Sequence, residues 1–199
     1  MPDSVGLGCP QFSIAAYIEN RPGMMSYASL NYITPLVQGE IHEIGQACGN
    51  GWRKVFNVFA KLLYELDSDI FPYSKCAPSW QNYRDHFLLQ AGSNTSLIFT
   101  PPVLGAEVDS EVETESLSLH PPHPTIHIVM GRTYAKRLIA EGYLPSPMHW
   151  LDNEFAVDET HRVIVCPYFD YRQLSNVKIC RLADIMHSLA TPDALPTKK

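Results

Sequence analysis

Three short apolar runs, each stopped by proline or glycine, constrain this chain more than any other feature. They are TSLIFT before Pro101-Pro102, IHIVM before Gly131, and RVIVC before Pro167. Short runs with no polar alternation read as strands covered on both faces, the pattern of a parallel sheet. Such a sheet needs helices on each side, and the segments between the runs provide them. In WRKVFNVFAKLLYEL, Val55, Phe56, Phe59, Leu62, Leu63 and Leu66 follow the i, i+3, i+4, i+7 spacing of a buried helical face. RTYAKRLIAEG follows Gly131 directly, and Val177, Ile179, Leu182, Ile185, Met186 and Leu189 give a last helix its apolar face.

Upstream, FSIAAYIE (12–19) reads as a first strand, ended by the turn-like NRPG at 20–23. Thr34-Pro35 has the form of a helix start, a capping hydroxyl and then proline at the first helical position. Leu36, Val37, Ile41, Ile44 and Cys48 keep helical spacing after it. Ser79 is a cap for a third helix carrying Trp80, Tyr83 and Phe87, and the proline-broken stretch 143–161 has room for a hairpin. The expectation is one α/β domain over residues 1–199. It has a mostly parallel central sheet with helices on both faces, a three-layer α/β/α arrangement, with a long acidic and proline-rich loop at 103–124 and a frayed tail at 191–199.

Composition narrows the function classes. A chain that is 45% hydrophobic and 18% charged is an ordinary globular protein, with no apolar run long enough to span a bilayer. Of its net charge of −6, five negatives sit in the loop, at Glu107, Asp109, Glu111, Glu113 and Glu115. Without them the rest is near neutral, and no dense Lys/Arg cluster marks a nucleic-acid face, so nucleic acid is not favoured by charge. Five cysteines, odd in number and never spaced CxxC, point to thiols rather than disulfides or a zinc site. With no basic and apolar leader at the N-terminus, the expected location is the cytoplasm.

The motifs that carry chemistry are few. GxGxxG, GxxxxGK[ST], HExxH and GxSxG do not occur. His120, His123 and His127 form the one histidine cluster, but two of them flank prolines and read as loop, so no metal or other cofactor is expected. Ligands of parallel sheets bind beyond the carboxyl ends of the strands. That places three loops together: 20–23 or 100–103, 131–134, and 167–172. In the last, PYFDYR, Tyr168 or Phe169 could stack on a planar ligand while Asp170 or Arg172 fixes its polar edge. Asp170 with Gln173 also has the form of a capping box for the final helix. Thr100, Gly131 and Arg132 would stand opposite, Gly131 offering a helix start to an anion.

Taken in order, these pieces resemble the uracil-DNA glycosylase-like superfamily. LIFTPP is a strand into a proline loop, IHIVMGRTYAKRL runs from a strand through glycine into a helix, and VIVCPYFDYRQLSN leads to a closing helix. GWRKVFNVFAKLL is similar to that family's long preceding helix. The resemblance implies a glycosylase-like fold, but the family's chemistry does not carry over. Its first loop supplies a polar or acidic residue that positions water, and Thr100-Pro101-Pro102-Val103 has no acid. Its last loop carries histidine–proline–serine–proline, where this chain has Cys166-Pro167-Tyr168-Phe169. The chain also looks like a member of a small bacterial family of unknown function.

The expectation is therefore a domain that binds a planar nucleobase- or nucleotide-like ligand at the sheet's carboxyl edge, without glycosylase activity. Two alternatives stand beside it. One is a small-molecule hydrolase with Asp170 as catalytic acid or base, and the other is a protein-interaction module docking through the acidic loop.

Overall fold

The computed structural model describes residues 4–104 and 125–191. The acidic stretch 107–115, His120, His123 and all but the first residue of the tail expected to fray at 191–199 lie outside these. Among the described residues eight strands form one mixed sheet. β1 is Gly6–Gly8, β2 Ile14–Tyr17, β3 Ile33–Thr34, β4 Thr95–Ile98, β5 Ile126–Met130, β6 His149–Trp150, β7 Ala156–Asp158 and β8 Val163–Cys166. Their order is β3-β1-β4-β2-β5-β8-β7-β6. β4, β2, β5 and β8 are mutually parallel, whereas β1 and β7 lie antiparallel to this centre. The helices are α1 (Met25–Ala28), α2 (Glu40–Ala47), α3 (Asn50–Glu65), α4 (Trp80–His86), α5 (Arg132–Ala140) and α6 (Asn176–Ala190).

The four parallel strands are the three apolar runs of the sequence together with FSIAAYIE, and burial explains why they do not alternate. Ile14, Ala16, Leu97, Ile128 and Ile164 face one layer, and Ala15, Tyr17, Ile98, Val129 and Val165 the other. The first layer holds α2, α3, α4 and α6, and the second holds α5 through Tyr134, Ala135 and Leu138. Helices thus cover both faces. α3 is the axis of the first layer, flanked by α2 and α4 on one side and α6 on the other. It buries Val55, Phe56, Val58, Phe59, Ala60, Leu62 and Leu63, and each large side chain contributes about 1.5–3 kcal/mol.

Three local readings need correction. Gly6-Leu7-Gly8 had no strand signal, yet it is β1, because only a residue without Cβ can lie so close to the Leu97 and Thr95 carbonyls. Thr34-Pro35 does not open a helix. Ile33 and Thr34 pair with β1, the Leu36 amide donates to the Leu89 carbonyl at 2.9 Å, and α2 starts only at Glu40. The capping box at Asp170 is also displaced, since α6 begins at Asn176 after Ser175. By contrast Ser79 caps α4 as expected, its Oγ accepting from the Asn82 amide at 3.2 Å. The expected hairpin forms from β6 and β7.

Candidate functional site

Because β2, β4, β5 and β8 are parallel, with Tyr17 opposite Ile98 and Val129, and Met130 opposite Cys166, their following loops leave from one edge. That edge collects Asn20, Arg21, Thr100, Gly131, Arg132 and the PYFDYR segment. α3 starts there too, and its first turns add residues that the sequence reading left out.

Within PYFDYR the side chains divide. Phe169 is fully buried, its ring centroid 5.6 Å from that of Phe59. The expectation that Phe169 faces a ligand is therefore corrected to core packing. Asp170 stays near the surface. Its carboxylate accepts from Lys54 Nζ at 2.7 Å and from the Arg172 amide at 3.0 Å, with the two side chains of the ion pair 15% and 20% exposed. The second contact closes a local turn. Burial pushes the Asp170 carboxyl up, but the Lys54 ammonium and the Arg172 amide outweigh it and hold it below the usual carboxylate range. Lys54 Nζ also sits 4.9 Å from the centre of the exposed Tyr171 ring, which Arg172 approaches at 6.0 Å. Half-buried Tyr168 packs on the core, and burial together with Asp170 raises its phenol.

The opposite rim is less gathered than expected. Thr100 Oγ1 accepts from the Val5 amide at 3.3 Å, on the β1 side. Arg132 turns toward the β6–β7 hairpin, donating to the Asn153 carbonyl at 2.9 Å with its guanidinium 5.0 Å from the Trp150 ring. The Gly131 amide is not offered to an anion, because it donates to the Cys166 carbonyl at 2.8 Å. Three other residues lie at this edge, with Phe99 buried beneath Trp52 and Arg21. Trp52, in the first turn of α3, meets Phe99 edge-on at 6.3 Å, and the Arg21 guanidinium lies 5.9 Å from the Phe99 ring. Arg21 is held there by the Ala28 and Leu30 carbonyls, to which its Nη1 donates at 3.4 and 3.3 Å. An arc of Arg21, Phe99, Trp52, Lys54, Asp170 and Tyr168 thus follows the carboxyl edge from β2 and β4 round to β8.

The arc offers aromatic faces, cations and one paired carboxylate, but little means of bond-breaking. An Asp held ionised by a lysine is a poor proton donor and a weak base. Cys166, the thiol nearest the edge, is fully buried and burial raises its pKa far from the thiolate range. Among the described residues no group of three or more His, Cys, Asp or Glu side chains could hold a metal ion. No helix of these residues is long and apolar enough to cross a membrane.

His127 lies away from this edge. Tyr17 Oη and His127 Nδ1 are 2.7 Å apart, their rings stack at 5.7 Å, and burial, with His161 nearby, lowers the imidazole to about 4. It is a satisfied histidine of the sheet.

No curated protein and no solved structure matches the chain. A family model does match, over residues 5–187, and by that match the chain belongs to DUF6942, a family of unknown function.

Proposed function

We propose that this α/β domain binds a planar, nucleobase- or nucleotide-like ligand at the carboxyl edge of its sheet and does not act as a glycosylase. The observation that carries the reading is the set of half-buried Trp52 and Tyr168 with the Lys54–Asp170 pair beyond the strand ends. Aromatic faces suit a planar base, and Arg21 and Lys54 suit its polar or anionic periphery. The topology agrees, since ligands of such sheets bind at this edge.

The resemblance to the uracil-DNA glycosylase-like superfamily enters this reading as the origin of the site, on the three sequence motifs LIFTPP, IHIVMGRTYAKRL and VIVCPYFDYRQLSN. Lost excision follows from Thr100-Pro101-Pro102-Val103, which has no acid, and from a last loop that keeps one proline of the family motif. A hydrolase using Asp170 is disfavoured by the Lys54 pairing. Docking through the acidic loop concerns residues outside those described. A cytoplasmic location remains part of this reading, on the five free cysteines.

The test is a thermal-shift and calorimetric screen against uracil, adenine, uridine and uridine monophosphate. A ligand at a hundredfold its Kd should add about 2.7 kcal/mol of stability. Trp52→Ala should weaken that binding about tenfold or more, since stacking on one ring contributes about 1–3 kcal/mol. A flat screen, or full affinity in a folded Trp52→Ala variant, would overturn the reading.

A further inference from the structure

On the other flank of α3, away from Asp170, α2, α3 and α4 enclose a cleft of about 150 Å³. Its floor is apolar, made by the buried Ile41 and Phe56. Its walls are polar and carry Arg53, Arg84, Asn57 and His42. It continues past Arg84 and His42 into a second hollow of about 320 Å³. Small-molecule sites are mostly apolar with a few placed polar groups and occur between packed helices, which is the character of this lining.

Arg84 is held in advance of any ligand. Its Nε and Nη2 donate to the two Asp85 oxygens at 2.7 and 3.0 Å, and its Nη1 donates to Asn57 Oδ1 at 2.5 Å. The guanidinium lies 5.7 Å from the Trp80 ring, and the side chain is only 23% exposed. A guanidinium has five N–H donors. Two of those on Arg84 therefore have no partner among the described residues, on a side chain that lines the cleft. Arg53, on the facing wall, has no ion pair or hydrogen bond among the described residues. Two guanidinium groups against the single carboxylate of Asp85 leave the cleft positive in a chain of net charge −6. A half-buried arginine with open donors above an apolar floor suits charge-assisted pairing with an anionic oxygen group.

We propose that this cleft is a second binding site, for a small organic anion that carries a phosphate or carboxylate on an apolar body. The anionic oxygens meet Arg53 and the open donors of Arg84, and the body lies over Ile41 and Phe56. The site is independent of the carboxyl-edge reading. Arg53 and Lys54 are consecutive on α3, yet one lines this cleft and the other is tied to Asp170 on the α6 side.

The experiment is isothermal titration of the whole chain with phenyl phosphate, benzoate and inorganic phosphate at low ionic strength. Saturable one-to-one binding of phenyl phosphate or benzoate is expected, and the preferred probe identifies the anionic group. Arg53→Gln should weaken it about tenfold, as loss of one charge-assisted contact, while Arg21→Gln, which removes the same charge at the carboxyl edge, leaves it unchanged. Uracil binding at the carboxyl edge should respond the opposite way to the two variants, so either site can fail alone. Arg84→Lys, which keeps the charge but loses the fork, should weaken binding at least as much as Arg53→Gln. No saturable binding of any probe, or wild-type affinity in Arg53→Gln, would overturn the proposal. Inorganic phosphate bound as tightly as phenyl phosphate would overturn the role of the apolar floor.

Discussion

Phe169 and Asp170 are neighbours with opposite fates, and the difference sets what each contributes. Phe169 seals the junction between the β8 loop and α3 by packing on Phe59. Phe169→Ala should therefore lower unfolding stability by about 3–5 kcal/mol, the cost of an emptied aromatic site, measured by urea denaturation. A loss under 1 kcal/mol would mean that the ring is not packed as described. Asp170 keeps its carboxylate outward only because Lys54 compensates it. The aromatic and acidic content of PYFDYR could be read from sequence, but which ring turned inward could not. Strand-end loops have no periodicity to assign a face. Lys54 gave no signal either. A lysine beside an arginine early in a helix reads as solvated surface, and its partner lies 116 positions away.

At the scale of elements, signals confined to a few residues were legible, and those that needed a distant partner were not. Ser79 acts on an amide three residues on, and α3 shows its buried face in its own spacing. β1 exists only because β4 accepts two glycines against its backbone, and the start of α2 moved because β1 recruited Ile33 and Thr34. Gly131 and Gly51 test the same distinction. A Cβ at either would meet nothing within 4 Å, but Gly131 has φ +93° at the β5–α5 junction and Gly51 lies within α3. Gly131→Ala should cost about 1–3 kcal/mol in backbone strain alone. Gly51→Ala should stabilise by a few tenths to about 1 kcal/mol. Thermal or urea unfolding of both variants checks the opposite signs.

For the whole molecule, the Tyr17–His127 pair couples the sheet to pH. The folded imidazole titrates near 4 against an ordinary value of 6.5, so the unfolded chain takes up this proton first as pH falls. Stability from this group is complete above about pH 6.5 and is lost as the pH drops toward 4. The loss is at most about 3 kcal/mol and about 2 kcal/mol by pH 5. Urea midpoints at pH 7 and pH 5 measure it, and His127→Gln should flatten the difference. An unchanged slope in that variant would assign the acid sensitivity elsewhere.

The three-layer architecture was legible because unalternating strands and amphipathic helices demand each other. The outer strands β1 and β3 were not, since so few residues carry them. The outermost strands have a consequence of their own. The sheet ends in β3 on one side and β6 on the other, each two residues long. A foreign extended segment laid along either margin would find almost no backbone ladder to continue, however adhesive the strands within. Brevity at the margins is a recognised guard against aggregation. It lets the chain hold four largely buried central strands without presenting them as a template for fibrils.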